Sequence, residues 1–362
     1  MHIAIDARII NSTTGRYVER LLHYLQTIDT TNEYSVLVRE KDLNYWKPSA
    51  KNFTIRVAEF ANYSFNEQVG FLRYLNKLNA DLVHFCMPQQ PIFYKGKKVT
   101  TIHDLTLIRT YNSDKNWLKY HAKQLVARYV LRMIPRTNNH IITDADFTKQ
   151  DIISYSHVSE EKVSRVYLAG ETTNGSSFTY TLPFKRYIMY VGQQSDYKNV
   201  KRLGDAHQKL RETYPELGLV LAGRKNAAAL RNETYFNNKK YTGIHFTDYI
   251  EDAQLNWLYE HAEAYVFPSL MEGFGLPGLE AMAHGTPVVS SNATCLPEVY
   301  GDAAHYFDPK ETDDIARVIN EVLGNPALKR TLSAAGYERI KKFSWKKMAA
   351  ETLAIYEKVL SE

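Results

Sequence analysis

The stretch FPSLMEGFGLPGLEAMAHGTPVVSSN, residues 267–292, decides the fold. Its first residue closes a short apolar run that is typical of a buried strand. Pro277 suits the first turn of a helix, Gly285 suits the end of that helix, and 287–290 is a second apolar run. The order strand, loop, helix, strand predicts one repeating unit of a parallel sheet. EGFG, residues 272–275, is then the loop that leads from strand to helix.

This loop predicts an anion site at the start of the helix. The backbone N–H groups of Phe274, Gly275 and Leu276 precede the first helical hydrogen bonds, so they are available to a phosphate. Gly273 and Gly275 allow a close approach of the backbone to a ligand and tolerate positive φ. We therefore expect a phosphate group against these amides.

Two carboxylates flank the expected anion site, Glu272 in the loop and Glu280 on the helix. A carboxylate repels a phosphate, so its expected use is to accept hydrogen bonds from hydroxyl groups of the same ligand. A phosphate between two hydroxylated rings describes a nucleotide sugar. The alternative is that both are surface glutamates, favoured near a helix start by the helix dipole.

Similar units extend in both directions along the 362 residues, a length that suits about two domains. Short apolar runs alternate with amphipathic stretches, which predicts two open α/β domains, Rossmann-like, facing each other across a cleft. The polar segment 171–183 is typical of a linker, so we predict domains at 1–175 and 176–343. An amphipathic helix is expected over 344–362, packing back toward the N-terminal domain. The predicted strands are 3–5, 34–38, 54–57, 82–85, 99–102, 140–143, 187–191, 217–221, 243–246, 264–267 and 287–290.

Composition excludes several classes of protein. Hydrophobic residues make up 44% and charged residues 23% of the chain, as in globular proteins, and no apolar run is long enough to span a membrane. The N-terminus reads as a strand rather than a signal peptide. Cys86 and Cys295 lack the spacing of a disulfide framework or a zinc site, and no metal-ligand cluster is visible. These features predict a cytoplasmic protein without a metal.

The segment EGFGLPGLEAMAHGTPVV, with seven residues between Glu272 and Glu280, and the following LPEVYGDAAHYFDP resemble retaining glycosyltransferases of family 4. The N-terminal half carries weaker matches in IDAR, TGRYVERLL, DLVHF, TIHDL and TDADFTKQDI. The resemblance implies the GT-B fold and retaining, metal-independent transfer of a hexose. It is strongest to mannosyl- and rhamnosyltransferases of bacterial surface polysaccharides. Glu272 would then contact the donor hexose, and Glu280 the ribose.

Further donor contacts are expected in YVGQQSDYKN, residues 190–199, after the first strand of the second domain. Lys198 would neutralise the diphosphate as the sugar–phosphate bond breaks, with Gly192 and Gln193 beside it. The resemblance implies a basic residue where this chain has Gln193. Arg224 or Lys225 in LAGRK is a candidate to supply that charge, and an ordinary surface location is the alternative.

In the first domain, His103 and Asp104 follow a buried strand, where the resemblance implies that they face the sugar and the acceptor. Asp104 would bind or deprotonate the acceptor hydroxyl, and His103 would contact the donor sugar through its ring or backbone. Gly15 belongs to a loop that the resemblance places over the diphosphate. His84 is expected to pack in the core.

The first 180 residues carry 23 Lys and Arg against 17 Asp and Glu, an excess that suits an acidic ligand or an anionic membrane rather than nucleic acid. Within them, 115–136 is a basic amphipathic stretch that suits either a membrane surface, where it would meet a lipid-linked acceptor, or a helix packed on its own sheet.

The prediction is a transferase that moves a hexose from a nucleotide sugar to a glycan or lipid-linked acceptor. Two alternatives stay open: a non-catalytic partner that binds nucleotide sugar or glycan, and a phosphorylase or epimerase on the same fold.

Overall fold

The computed structural model describes residues 1–12, 14–110, 117–170 and 175–362, with side chains of the helix at 117–137 described from residue 124. The chain forms two compact units. The first contains Met1–Ile108, 117–168 and Ser344–Glu362, and the second contains Ala169–Phe343 with residues 109 and 110. The described part of the predicted linker, 175–183, thus belongs to the second unit.

The first unit is built on a seven-stranded, entirely parallel sheet with the order β3-β2-β1-β4-β5-β6-β7. Its strands are β1 (His2–Asp6), β2 (Glu33–Val38), β3 (Phe53–Val57), β4 (Leu82–Phe85), β5 (Lys98–Thr101), β6 (His140–Thr143) and β7 (Val163–Arg165). Its helices before the second unit are α1 (Gly15–Ile28), α2 (Leu72–Leu78), α3 (Thr106–Arg109, whose last residue is grouped with the second unit), α4 (Trp117–Thr137) and α5 (Asp146–Ser156). A π-helical segment, Glu67–Phe71, leads into α2.

The second unit is built on a six-stranded parallel sheet with the order β10-β9-β8-β11-β12-β13. Its strands are β8 (Arg186–Val191), β9 (Leu217–Ala222), β10 (Ile244–Asp248), β11 (Ala264–Phe267), β12 (Val288–Ser291) and β13 (Ala304–Phe307). Its helices are α6 (Val200–Thr213), α7 (Ala227–Asn238), α8 (Asp252–His261), α9 (Leu276–Ala283), α10 (Leu296–Tyr300), α11 (Thr312–Gly324) and α12 (Pro326–Ile340). The prediction of two parallel α/β sheets is confirmed.

Two strands have no counterpart in the sequence prediction. β7 has only three residues, VSR, and a stretch this short carries no readable alternation. β13 lies at the edge of its sheet and two of its four residues are half-exposed, so it lacks the continuous apolar run of a central strand. Both strands therefore depend on their neighbour for pairing rather than on a strong local pattern.

The strand order places one switch point in each sheet. In the first sheet, β2 and β3 are added on one side of β1, and β4 to β7 are added on the other side. In the second sheet, β9 and β10 lie on one side of β8, and β11 to β13 lie on the other. Loops that leave such a pair of strands in opposite directions open a crevice at their carboxyl ends, where open α/β sheets bind ligands. A ligand is therefore expected beside the residues that follow β8 and β11.

The chain ends in α13 (Trp345–Ser361), which belongs to the first unit and packs on α1. Ser344 caps it, because its Oγ accepts the Lys347 amide at 3.3 Å. At the other end, Lys97 Nζ donates to the carbonyls of Val359 and Leu360 at 3.0 and 2.9 Å, where a cation suits the helix dipole. Among the described helices, none combines the length and apolar character needed to cross a bilayer.

Candidate functional site

The switch point of the second sheet carries an ion pair between the loops that follow β8 and β11. Lys198 Nζ lies 2.7 Å from Glu272 Oε1 and 2.9 Å from Oε2. The two side chains are only 16% and 11% exposed. Burial alone would lower the pKa of Lys198, but the adjacent Glu272 carboxylate outweighs it and raises that pKa. Lys198 is therefore a fixed positive charge at the expected donor site.

The backbone around Lys198 is held by Asn199. This residue adopts φ +60 and its side-chain amide donates to the carbonyls of Pro268 and Pro309 at 3.0 and 2.7 Å. The Leu270 amide donates to the Tyr197 carbonyl at 2.8 Å, which joins the two loops directly. Lys198 and the loop after β11 are thus positioned by a common set of hydrogen bonds. The sequence did not single out Asn199, although asparagine is enriched at left-handed positions.

The loop EGFG leads into α9 as predicted, and Gly275 has φ +97. A Cβ at Gly275 would lie 2.5 Å from Tyr300 Oη, which itself donates to the Gly275 carbonyl at 2.6 Å. Among the described residues, the amides of Gly275 and Leu276 have no hydrogen-bond acceptor. The buried ring of Phe274 packs edge-on against Phe343. The amides of Gly275 and Leu276 are therefore available to an anion.

Glu272 and Glu280 have different surroundings. The Glu272 amide donates to Thr294 Oγ1 at 3.3 Å and its carbonyl accepts from Cys295 Sγ at 3.3 Å, so the loop after β12 holds its backbone. Glu280 is half-buried on α9, and its Oε2 accepts from Tyr259 Oη at 3.4 Å. The backbone of Glu272 and the carboxylate of Glu280 are therefore held by specific contacts.

Glycines bring the ends of β8 and β9 together. Gly192 has φ +131 and Gly223 has φ +139, and a Cβ on Gly223 would lie 2.8 Å from the Gly192 carbonyl oxygen. Gln193 is exposed, and its carbonyl accepts from Tyr190 Oη at 2.5 Å. The backbone at the carboxyl ends of β8 and β9 therefore carries no side chain at Gly192 and Gly223. Gly273, in the loop after β11, is buried.

The two basic candidates after β9 differ. Lys225 Nζ pairs with Glu233 at 2.7 Å, so its charge is already matched. Arg224 is exposed, and its guanidinium lies 5.1 Å from the ring centre of Tyr249, which is 67% exposed. Arg224 is accordingly the better candidate for a diphosphate or base contact.

In the first unit, His103 is paired with a residue that the sequence did not assign. Its Nδ1 donates to Asp144 Oδ2 at 2.7 Å, and Tyr17 packs edge-on at 4.9 Å. Burial opposes protonation, but Asp144 outweighs it and raises the pKa of His103, with smaller contributions from Asp104 and the Cys86 carbonyl. Asp144 directly follows β6, the strand next to β5. This position at the carboxyl end of a neighbouring strand is the sequence feature that could have indicated its proximity to His103.

Asp104 is half-buried, and its Oδ1 accepts the Thr106 amide at 2.8 Å, in a turn that leads into α3. Gly15 starts α1, and a Cβ there would collide with the Ile10 carbonyl, so only glycine fits at this position. His84 is fully buried as expected. Within the described residues, no group of three or more His, Cys, Asp or Glu side chains could hold a metal ion.

The basic stretch 115–136 lies partly outside the described side chains. From residue 124 onward, Leu131 and Ile134 face the core, whereas Leu125, Val126 and Tyr129 are 69%, 61% and 55% exposed. Arg128, Arg132 and Arg136 are exposed on the same helix. The described part of α4 therefore presents apolar and basic side chains to its surroundings together.

Residues 182–339 match the family described as Glycosyl transferases group 1. The chain is 30% identical over 275 residues to the O-antigen chain mannosyltransferase B of Escherichia coli, covering 72% of this chain and 70% of that protein. It is 40% identical over 273 residues to the MMP alpha-(1->4)-mannosyltransferase of Mycolicibacterium hassiacum, covering 73% of this chain and 66% of that one. The structure of Anabaena HepE, solved with UDP and glucose, superposes with a TM-score of 0.72 at 13% identity and covers 99% of both chains.

Proposed function

The chain belongs to the group 1 glycosyltransferases and has their GT-B fold, and on that premise we propose that it transfers a mannose-like hexose from a nucleoside diphosphate sugar to an acceptor hydroxyl. The acceptor is a glycan or a lipid-linked glycan in surface polysaccharide synthesis. Two mannosyltransferases among the relatives support the hexose, and a structural neighbour that holds UDP and glucose supports the class of donor. Retention of the anomeric configuration follows the family resemblance of the sequence.

The observation that carries the proposal is the pair of Lys198 and Glu272 beside the amides of Gly275 and Leu276. A diphosphate would replace Glu272 as the partner of the Lys198 ammonium and would accept hydrogen bonds from the two amides. Glu272, released from Lys198, would then accept hydrogen bonds from hexose hydroxyls. Because one anion replaces another at Lys198, the exchange keeps this buried ammonium paired.

The remaining donor contacts are assigned by position. Glu280 on α9 would bind the ribose hydroxyls, and the Gly192–Gln193 backbone would line the diphosphate, with Gln193 donating a neutral hydrogen bond. Arg224 would add positive charge from the end of β9, and Gly15 would allow its loop to approach the diphosphate. As the bond between the sugar and the diphosphate breaks, its electron pair stays on the departing diphosphate. Lys198 and the α9 amides would stabilise that charge.

On the acceptor side, the incoming hydroxyl oxygen forms the new bond to the sugar carbon, and Asp104 would accept its proton. His103 would contact the donor sugar through its ring or its backbone. The proposal includes no metal, since Lys198 and the helix start would supply the charge that a divalent cation supplies elsewhere. A chelator should therefore leave turnover unchanged.

We place the enzyme in the cytoplasm, with no nucleic acid partner and with α4 resting on the inner face of the membrane. The exposed apolar residues of α4 would enter the headgroup region while its arginines meet anionic lipids. This location would bring the active site near a lipid-linked acceptor.

Isothermal titration with GDP, UDP and dTDP, followed by turnover with the matching nucleotide sugars, tests the proposal. Lys198→Ala and Glu280→Gln should each weaken binding of the preferred nucleotide at least tenfold, and Lys198→Ala should lower kcat by about 10²–10³. Lys209→Ala is the matched control, because Lys209 pairs with Asp313 on the exposed surface. Unchanged nucleotide binding in both site variants would contradict the assignment.

A second candidate is a non-catalytic protein that binds nucleotide sugar, and the neutral Gln193 at the usual basic position favours it. The same titration separates the two. Binding without any turnover of donor in the presence of mannosyl and lipid-linked acceptors would support the non-catalytic protein. Mass spectrometry of the products, with NMR of the anomeric proton, identifies transfer and its stereochemistry.

A further inference from the structure

Two loops of the first unit, at the carboxyl ends of β3 and β4, expose three aromatic rings. Tyr63 and Phe65 in the first loop are 61% and 84% exposed, and Phe93 in the second is 70% exposed. We refer to these three residues as the aromatic rim. Exposed aromatic side chains on neighbouring loops indicate a binding surface for a ligand or a partner, because their exposure to water is unfavourable.

Hydrogen bonds join the two loops into one surface. Gln89 Nε2 donates to Tyr63 Oη at 2.8 Å. Gln68 Nε2 donates to the Gln90 carbonyl at 3.0 Å, and Gln68 Oε1 accepts the Ile92 amide at 3.0 Å. The segments that carry Tyr63 and Phe93 are therefore fixed relative to each other.

A single buried guanidinium anchors both loops to β1. Arg8 is 4% exposed and donates from Nε and Nη2 to the two oxygens of Asp6 at 2.8 and 2.7 Å. It also donates to the Phe60 carbonyl at 2.9 Å, to Glu67 at 3.0 Å and to the Gln89 carbonyl at 3.3 Å. A rigid, multiply bonded anchor of this kind orders the loops before any ligand arrives, which lowers the entropic cost of binding.

The backbone of the first loop is unusual in two places. Tyr63 adopts φ +58, a conformation that is uncommon outside glycine, and its amide donates to Glu67 Oε2 at 2.9 Å. Glu67–Phe71 is a π-helical segment, and such segments occur frequently at functional sites. Arg8 and Glu67 together hold this irregular backbone.

The chemistry of the two loops specifies the ligand. Neither 60–66 nor 86–94 contains Asp, Glu, Lys or Arg, and both contain amide side chains. Asn62 Oδ1 and Gln89 Oε1 are buried acceptors without a hydrogen-bond partner among the described residues. Aromatic faces carry negative partial charge and attract the polarised C–H groups of a pyranose ring, while amide oxygens accept its hydroxyl protons. A neutral sugar matches this combination.

We propose that the aromatic rim binds the neutral glycan portion of the acceptor. This inference rests on the proposed function. The second loop begins at Cys86, directly after β4, and His103 follows β5, the strand paired with β4, so both segments leave the same edge of the sheet of the first unit. A pyranose stacked on Phe65 or Phe93 would hold the acceptor chain in place while its terminal hydroxyl reaches the donor sugar.

The test measures binding of α-linked manno-oligosaccharides, from one to four residues, to the full chain saturated with GDP or UDP, whichever binds. Phe65→Ala and Phe93→Ala should each weaken oligosaccharide binding about tenfold and raise the acceptor KM with little change in kcat. Nucleotide affinity should stay at the wild-type value. Both rings are exposed, so folding is expected to be intact, and Tyr337→Ala, at a 46% exposed tyrosine of the second unit, is the matched control.

The inference is overturned if the wild type binds none of these oligosaccharides at millimolar concentration, or if both rim variants bind them like the wild type. It is also overturned if the variants lose binding to phosphatidylglycerol vesicles or lose a dimer, because the rim would then contact a membrane or a second copy. Absence of nucleotide binding in the wild type would instead contradict the proposed function, so the two failures are distinguishable.

Discussion

Replacing Lys198 by methionine would break the ion pair with Glu272 while keeping most of the side-chain volume. The Glu272 side chain is only 11% exposed, so the variant leaves a carboxylate in a poorly hydrated place without its cation. Removing one partner of such a buried pair costs about 3–5 kcal/mol. For a unit of this size, we expect the melting temperature of the second unit to fall by about 6–20 °C.

The double variant Lys198→Met/Glu272→Gln should recover most of the lost stability, since replacing both partners of a buried pair is often nearly neutral. Scanning calorimetry of the wild type and the two variants gives the comparison. Lys209→Met controls for loss of a lysine, because the Lys209 side chain is 50% exposed and its pair with Asp313 should contribute less than about 1 kcal/mol. A single variant that melts within about 2 °C of the wild type, or a double variant as unstable as the single one, would show that this ion pair does not stabilise the second unit.

Three further predictions rest on individual contacts. Asp144→Asn should lower the pKa of His103, because burial then opposes protonation with less compensation, and NMR titration measures the change. Because the native pair raises that pKa, its stabilisation is present at about pH 5 and lost as the pH rises through the raised pKa, so a larger effect of the substitution on melting at about pH 9 would contradict the prediction. Gly275→Ala should lower the free energy of unfolding by about 1–3 kcal/mol, because the φ of Gly275 is +97 and the new Cβ would lie 2.5 Å from a tyrosine hydroxyl. The control Gly324→Ala, where the nearest atom to the new Cβ is at 3.6 Å, should have little effect on thermal unfolding. Leu125→Glu should reduce sedimentation of the protein with phosphatidylglycerol vesicles and leave sedimentation with phosphatidylcholine vesicles unchanged. Equal sedimentation of the variant and the wild type with phosphatidylglycerol vesicles would show that α4 does not contact the membrane.

The parallel sheets could be predicted because their central strands are continuous apolar runs, and 264–267 was predicted with the bounds that the structure has. The helix start at Leu276 could also be predicted, since Pro277 and the glycines before it are strong local signals. Such features depend on a few adjacent residues. The strands β7 and β13 depend on pairing with a neighbour, and their short segments carry no comparable signal.

The site was predictable as a set of residues and not as a set of contacts. Lys198 and Glu272 were assigned to different parts of the donor, and their direct pairing depends on the adjacency of β8 and β11, which are separated by two intervening strands in sequence. Asp144 was missed for the same reason, because nothing near His103 in sequence points to the strand beside it. Arg8 lies in the IDAR segment, but its role is defined by carbonyls more than 50 residues away in the sequence.

The position of α13 affects how the chain folds during synthesis and which fragments of it can fold alone. Tyr356 on α13 shares a hydrogen bond with the buried His84, and the first unit therefore includes side chains from both ends of the chain. During synthesis, the second unit can fold before the ribosome has released the residues of α13 that complete the first unit. A fragment ending at Leu168 would leave the face of α1 that packs on α13 open to water, so expression trials of the N-terminal half should carry the last 19 residues on a flexible linker.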